Sequence, residues 1–139
     1  MTWREPTEAE IKALLEKTKT VAIVGISNKE DRASYQVAKW LQANSHFTLF
    51  FVNPVIDEVL GEKTYSSLSE IPVPIDIVDV FRRSEETLPT LEKSIEIGAK
   101  SIWLQLGIRN DEIAQRGEAA GMKVVMDRCL KVDYQNLLS

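Results

Sequence analysis

One short polar segment carries the residue types needed to hold an anion. Gly25, Ile26, Ser27, Asn28 and Lys29 follow the apolar, β-branched run Thr20-Val21-Ala22-Ile23-Val24; Arg32 and Ser34 come a few residues later. Such a run reads as a strand buried on both faces, and Gly25 ends it. From Ser34 onward, Val37, Ala38 and Leu41 recur at the spacing of a one-sided helix. The order is strand, glycine turn, helix. A helix N-terminus just beyond the carboxyl end of a strand presents unpaired N–H groups and a partial positive charge. Lys29 and Arg32 add side-chain donors, so the segment suits a phosphate or pyrophosphate. Each residue also has a plainer reading. Gly25 can be an ordinary tight turn, Ser34 a helix cap, and Lys29 and Arg32 solvated loop charges.

The usual nucleotide fingerprints are missing. A dinucleotide site wants G-x-G-x-x-G in this turn and an acid near the end of the second strand for the ribose 2′-OH. The chain instead has Gly25-Ile26-Ser27-Asn28-Lys29-Glu30, one glycine of three, and Asn53 at the position for the acid. No G-x-x-x-x-G-K-[ST] loop occurs either. A phosphate-rich ligand other than a nicotinamide nucleotide fits better.

The surrounding elements must position this loop. Pro6, Thr7 and Glu10 form a capping signature ahead of Ile11, Leu14 and Leu15, so residues 1–17 are expected to hold a peripheral helix. Residues 47–52 read as a second strand stopped by Asn53-Pro54, and residues 55–65 carry no regular structure in this reading. Residues 67–70 suggest one helical turn before two prolines at 72 and 74. Residues 75–81, with Asp76 and Asp79 among apolar neighbours, predict a third strand; Ser84 is expected to cap the next helix, which Gly98 ends. Residues 100–106 and 123–126 predict the fourth and fifth strands, with a helix over 110–120 between them and a short helix over 133–138.

Strands alternating with helices through short connections mean parallel strands with right-handed crossovers. The expected fold is α/β: a Rossmann-like, doubly wound, five-stranded parallel sheet with helices on both faces, as a single domain over residues 1–139. Ligands of such sheets sit beyond the carboxyl ends of the strands, where strand order reverses. That rule gathers the loop 25–34, Asn53-Pro54, Phe81-Arg82-Arg83 and Gln105-Leu106-Gly107-Ile108.

Composition narrows the partner. With 139 residues, 44% of them apolar, the chain suffices for one core. A net charge of −4 gives no basic field for sequence-independent nucleic-acid binding. One cysteine, Cys129, forbids an intrachain disulfide, and no charged segment leading into an apolar core opens the chain, so a cytoplasmic location is expected. No apolar run approaches the roughly 18 residues that span a bilayer. The expected partner is a small molecule, with a protein partner or homodimer left open.

Five blocks of sequence then carry a resemblance. V-A-I-V-G-I-S-N-K-E-D-R-A-S-Y at 21–35, V-N-P at 52–54, V-D-V-F-R at 78–82, I-W-L-Q-L-G-I at 102–108 and V-M-D-R-C-L at 125–130 together resemble the stand-alone CoA-binding domain family. That family is similar in fold to the CoA-binding N-terminal domain of the succinyl-CoA synthetase alpha subunit, and the resemblance spans residues 18–134. It implies coenzyme A or an acyl-CoA as ligand. Gly25, Ile26, Ser27, Asn28 and Lys29 would line the pyrophosphate, with Arg32 and Ser34 at the helix start. Asn53 and Pro54 would border ribose and adenine, and Phe81 and Arg82 would wall the nucleotide. Gln105, Gly107 and Ile108 would face the arm leading to the thiol. The first loop of the synthetase domain is richer in glycine than residues 26–33.

The synthetase uses a phosphorylatable histidine in a further domain, whereas the single histidine here, His46, precedes the second strand and reads as a solvent-facing loop residue. The expected function is therefore non-catalytic CoA binding. The alternatives are a nucleotide-cofactor enzyme, such as an NAD(P)-dependent oxidoreductase or a CoA-dependent transferase subunit, and a regulatory domain whose pocket stays empty. Trp103 reads as core, Trp3 and Trp40 as packing or surface residues, and Arg82-Arg83 equally as a surface pair or a phosphate clamp. Cys129 reads first as a small buried hydrophobe. Its place beyond the fifth strand, beside Arg128, leaves open thiol exchange with a bound CoA.

Overall fold

The structure, a computed structural model, describes residues 3–138. Thr20–Val24 forms β1, and its alternation sends Val21 and Ile23 to one face and Ala22 and Val24 to the other. All four are buried, so β1 is the centre of the sheet, and burying a side chain the size of Ile23 is worth about 1.5–3 kcal/mol. It pairs in parallel with β2 (Thr48–Val52) on one side and β5 (Ile77–Val80) on the other; β6 (Ser101–Leu104) and β7 (Lys123–Val125) continue beyond β5. These are the five expected parallel strands; β1 matches its sequence run, and the other four are one to three residues shorter because their end residues turn away into loops.

The strand count differs from the expectation. Residues 55–65 form a hairpin, β3 (Glu58–Val59) and β4 (Glu62–Tyr65), and β4 pairs in parallel with β2. The sheet is thus seven-stranded, ordered β3-β4-β2-β1-β5-β6-β7, with β3 antiparallel. The turn residues Leu60 (φ 54°) and Gly61 (φ 78°) both have positive φ, the geometry of a type I′ turn.

Helices cover both faces. α1 (Glu8–Lys17), α2 (Ala33–Asn44) and α5 (Leu130–Leu138) pack with Val21, Ile23, Ile77 and Trp103. α3 (Ser84–Glu96) and α4 (Asp111–Ala119) pack on Ala22, Val24, Val78, Val80 and Leu104. α1 is more than peripheral, since Ile11 and Leu15 are fully buried. Its expected capping box is present: the Glu10 amide donates to Thr7 Oγ1 (3.1 Å) and the Thr7 amide to Glu10 Oε1 (2.8 Å). Arg4, hydrogen-bonded to the same carboxylate at 3.0 Å, holds Glu10 down at about 2.

Two helix starts fall one residue earlier than expected. α2 begins at Ala33 with Arg32 in the N-cap position, and α3 begins at Ser84 with Arg83 there. Trp103 is core as expected, although its indole N–H donates to the Arg128 carbonyl at 2.8 Å. His46 is exposed but not idle: Nδ1 lies 2.8 Å from Tyr134 Oη and Nε2 lies 2.8 Å from the Thr18 carbonyl. Those contacts tie it to the amino-terminal end of the sheet, opposite the strand ends that face the loops.

Candidate functional site

Chain direction across the sheet reverses at β1, which sends the chain first to β2 and later to β5 on its other side. The crevice between the carboxyl ends of β1 and β5 is where a ligand of such a sheet is expected. Two residues define its floor. Gly25 has φ +86°, and a Cβ there would stand 2.5 Å from the Phe81 carbonyl oxygen, so the two strand ends approach as only glycine permits. Hydrogen bonds from the Gly25 amide to Val52 O (3.1 Å) and from the Phe81 amide to Val24 O (2.9 Å) fix them there.

A cleft of about 550 Å³ opens above this floor, larger than the groove of about 340 Å³ between α1 and β7. Its walls include Gly25, Ser27, Arg32 and Ser34 from the first loop and the start of α2. Phe81, Arg82, Gln105 and Ile108 complete them from the loops after β5 and β6. Eight of the residues singled out in the sequence are thereby brought together. Ile26, Asn28, Lys29, Asn53, Pro54 and Gly107 do not line the cleft.

Each of those six has a visible position. Ile26 is fully buried in the core, where its apolar side chain belongs, rather than facing an anion. Asn28, Lys29 and Pro54 are exposed. Asn53 is a brace between loops: Nδ2 donates to the Ile26 carbonyl at 2.7 Å, and Oδ1 accepts from the Val55 amide at 2.7 Å. The Gly107 amide donates to Asp127 Oδ1 at 2.7 Å, which ties the loop after β6 to the turn after β7.

The first loop is held by its own serines. The Ser27 amide donates to Ser34 Oγ at 3.0 Å, and Ser27 Oγ accepts from the Lys29 amide at 3.0 Å. Ser34 is thus an internal latch of the loop rather than the cap of α2. Arg32, which occupies the N-cap position, makes no side-chain cap bond, and the first turn of α2 carries no acid, unlike those of α1, α3 and α4. The amides that begin α2 therefore keep their positive end toward the cleft, with Arg32 beside them.

Further wall residues, Val37, Arg83, Leu106 and Cys129, were not among the residues chosen for binding. Val37 was legible only as apolar periodicity, whereas Arg83 and Leu106 were gathered at the strand ends without a binding role. Cys129 was noted for its place beyond the fifth strand, and it does reach the rim, half-buried. Arg128 does not turn toward it: Nε and a terminal nitrogen of its guanidinium bind the Asp133 carboxylate at 2.7 and 2.9 Å. Below the cleft, Asp79 is fully buried, in register with Ile23 and Trp103, and neither carboxylate oxygen has a partner among the described residues. Burial pushes its carboxyl well above the usual range.

Comparison with known proteins gives these features a context. YneT of Bacillus subtilis, described as uncharacterized, is 45% identical over 131 residues, 94% of this chain and 96% of that one. A protein of Pyrococcus horikoshii described as hypothetical has a solved structure that superposes with a TM-score of 0.90 at 34% identity, covering 98% of this chain and 97% of that one. The alpha subunit of an ADP-forming acetate–CoA ligase from Pyrococcus furiosus is 25% identical over 81% of this chain, which spans only 27% of that subunit. Residues 19–135 match the family described as CoA binding domain, and this chain belongs to that family.

Proposed function

We propose that this chain binds coenzyme A or an acyl-CoA at the β1/β5 crevice and catalyses no reaction by itself. The observation that carries the reading is the cleft over Gly25 and Phe81, into which the uncapped start of α2 and Arg32 direct positive charge. In this reading the diphosphate lies over the first turn of α2, where amide N–H groups and a guanidinium meet it together. Arg82 stands on the opposite wall with its Nε buried and unpartnered among the described residues, a donor free for the nucleotide half. The pantetheine arm runs toward Gln105 and Ile108. Asn53 and Gly107 support the walls through the hydrogen bonds described above rather than by touching the ligand.

The absence of chemistry in the proposal rests on where His46 is tied: its ring engages Thr18 and Tyr134 at the far end of the sheet. Thermal unfolding with CoA, acetyl-CoA, NAD and ATP tests the reading. A ligand present at 100 times its Kd adds roughly 2.7 kcal/mol of stability. CoA or acetyl-CoA is expected to raise the transition, with NAD and ATP nearly silent. A shift with NAD and none with CoA would overturn the proposal.

A further inference from the structure

We propose that Cys129 is a covalent capture site for the thiol end of CoA, forming a mixed disulfide when CoA arrives in disulfide form. This inference rests on the CoA reading above and adds a modification site to it. Cys129 is a free, half-buried thiol on the wall of the same cleft as Gly25, Ser27 and Arg32. Its location follows from the turn after β7, which folds back over β6. The Arg128 amide donates to the Leu104 carbonyl at 3.4 Å, and the Trp103 indole donates to the Arg128 carbonyl at 2.8 Å. The cysteine is thereby placed over β6, two strand spacings or roughly 10 Å across the sheet from β1. An arm that leaves a diphosphate at the end of β1 and runs along this cleft ends near that sulfur. The Arg128–Asp133 pair and the bond from the Asp133 amide to the Cys129 carbonyl (3.0 Å) hold the turn in place.

A second observation, independent of the cysteine, points to an amide-bearing ligand between the two ends. Gln105 is only 5% exposed and lines the cleft. Its Oε1 accepts from the Leu130 amide at 3.2 Å, and among the described residues no acceptor takes its Nε2 hydrogens. Nε2 is not one of the buried side-chain atoms left without a partner, so it opens into the cleft, where water or a ligand can accept from it. A pantetheine arm carries amide carbonyls that can accept from Nε2 on the way to Cys129.

The chemistry is thiol–disulfide exchange. The Cys129 thiolate attacks the CoA sulfur of a CoA-containing disulfide; a new S–S bond forms to Cys129 as the original S–S bond breaks. The partner thiol leaves as thiolate and takes up the proton that Cys129 lost. Cys129 sulfur is oxidised and the leaving sulfur is reduced, so the CoA disulfide is the only oxidant required. Occupancy of the cleft supplies the local concentration that selects this disulfide over others.

The test is intact-mass spectrometry of the full chain under non-reducing conditions after exposure to CoA disulfide, with glutathione disulfide as the comparison. One CoA is expected per chain, mapped to Cys129, removed by dithiothreitol and absent from Cys129→Ser. The adduct should form roughly tenfold or more faster than the glutathione adduct, because binding concentrates the reagent beside the thiol. Calorimetry with reduced CoA on the wild-type chain under reductant reads the binding site separately. Binding of reduced CoA with no adduct, or with adducts forming equally fast from both disulfides, would overturn the capture proposal and leave the CoA reading standing. No binding of reduced CoA, with modification no faster than by glutathione disulfide, would overturn both.

Discussion

Replacing Gly25 by alanine separates two costs that the site imposes. The backbone there has φ +86°, which an L residue adopts at a cost of about 1–2 kcal/mol. The new Cβ would also stand 2.5 Å from the Phe81 carbonyl oxygen and 3.2 Å from Arg82 Cγ. The Phe81 oxygen belongs to backbone that is pinned by its hydrogen bond to Val24, so relief requires the strand ends to part, at a cost of about 1–3 kcal/mol. The expected loss is therefore about 2–5 kcal/mol, or roughly 6–20 °C in Tm for a domain of this size. Gly61→Ala is the control. Its φ of +78° imposes the same backbone term, but a Cβ there meets nothing within 4 Å. Thermal and guanidinium unfolding of both variants should show Gly25→Ala less stable by about 1–3 kcal/mol. The CoA-induced stabilisation should also shrink in Gly25→Ala alone, because parting the strands reshapes the cleft floor. Equal losses in the two variants would refute the close approach of Gly25 to Phe81.

Further outcomes follow from individual contacts. Arg32→Ala should weaken CoA binding roughly tenfold or more by calorimetry, the scale of one lost charge-assisted bond, while Lys29→Ala, outside the cleft, should change it little; the reverse order would move the diphosphate out along the loop. Asp79→Asn tests the buried carboxyl through pH. Its proton is held in the folded state at pH values where the unfolded chain releases it, so its contribution is most favourable below the ordinary carboxylate range and declines as pH rises through and above it. The stability of the wild type relative to Asp79→Asn, from urea midpoints between about pH 4 and 8, should therefore fall with rising pH, and parallel profiles would contradict the assignment. Arg128→Ala should cost about 2–4 kcal/mol in denaturant unfolding, because it strands the Asp133 carboxylate, whose side chain is 8% exposed; a loss under about 0.5 kcal/mol would mean that the pair does not hold the turn at Cys129.

Much of the fold was legible because burial on both faces writes an unmistakable local pattern. Thr20–Val24 and Ser101–Leu104 are apolar without alternation, and Thr7 with Glu10 announces α1 before any contact is known. The hairpin at residues 58–65 was not legible. Its strands are short and carry Glu58, Glu62 and Lys63 at a solvent-facing edge, and its turn places Leu60 rather than asparagine in the left-handed region. Asp79 was equally opaque, since one acid in a strand reads as a polar edge until the layers on both sides are in place.

For the site, the sequence by itself determined the chemistry of the first loop and the ends of the strands that surround it, because both depend on local order along the chain. Which of those residues meet is a matter of strand order. Reversal of direction at β1 sets Gly25 against Phe81, and the fold-back over β6 carries Cys129 into the same cleft. Asn53 and Gly107 were turned into braces, and Ile26 into core, by hydrogen bonds and packing between loops distant in sequence. Those contacts belong to the tertiary structure because an amide or a methyl group finds its partner by distance in space, which residue spacing does not encode.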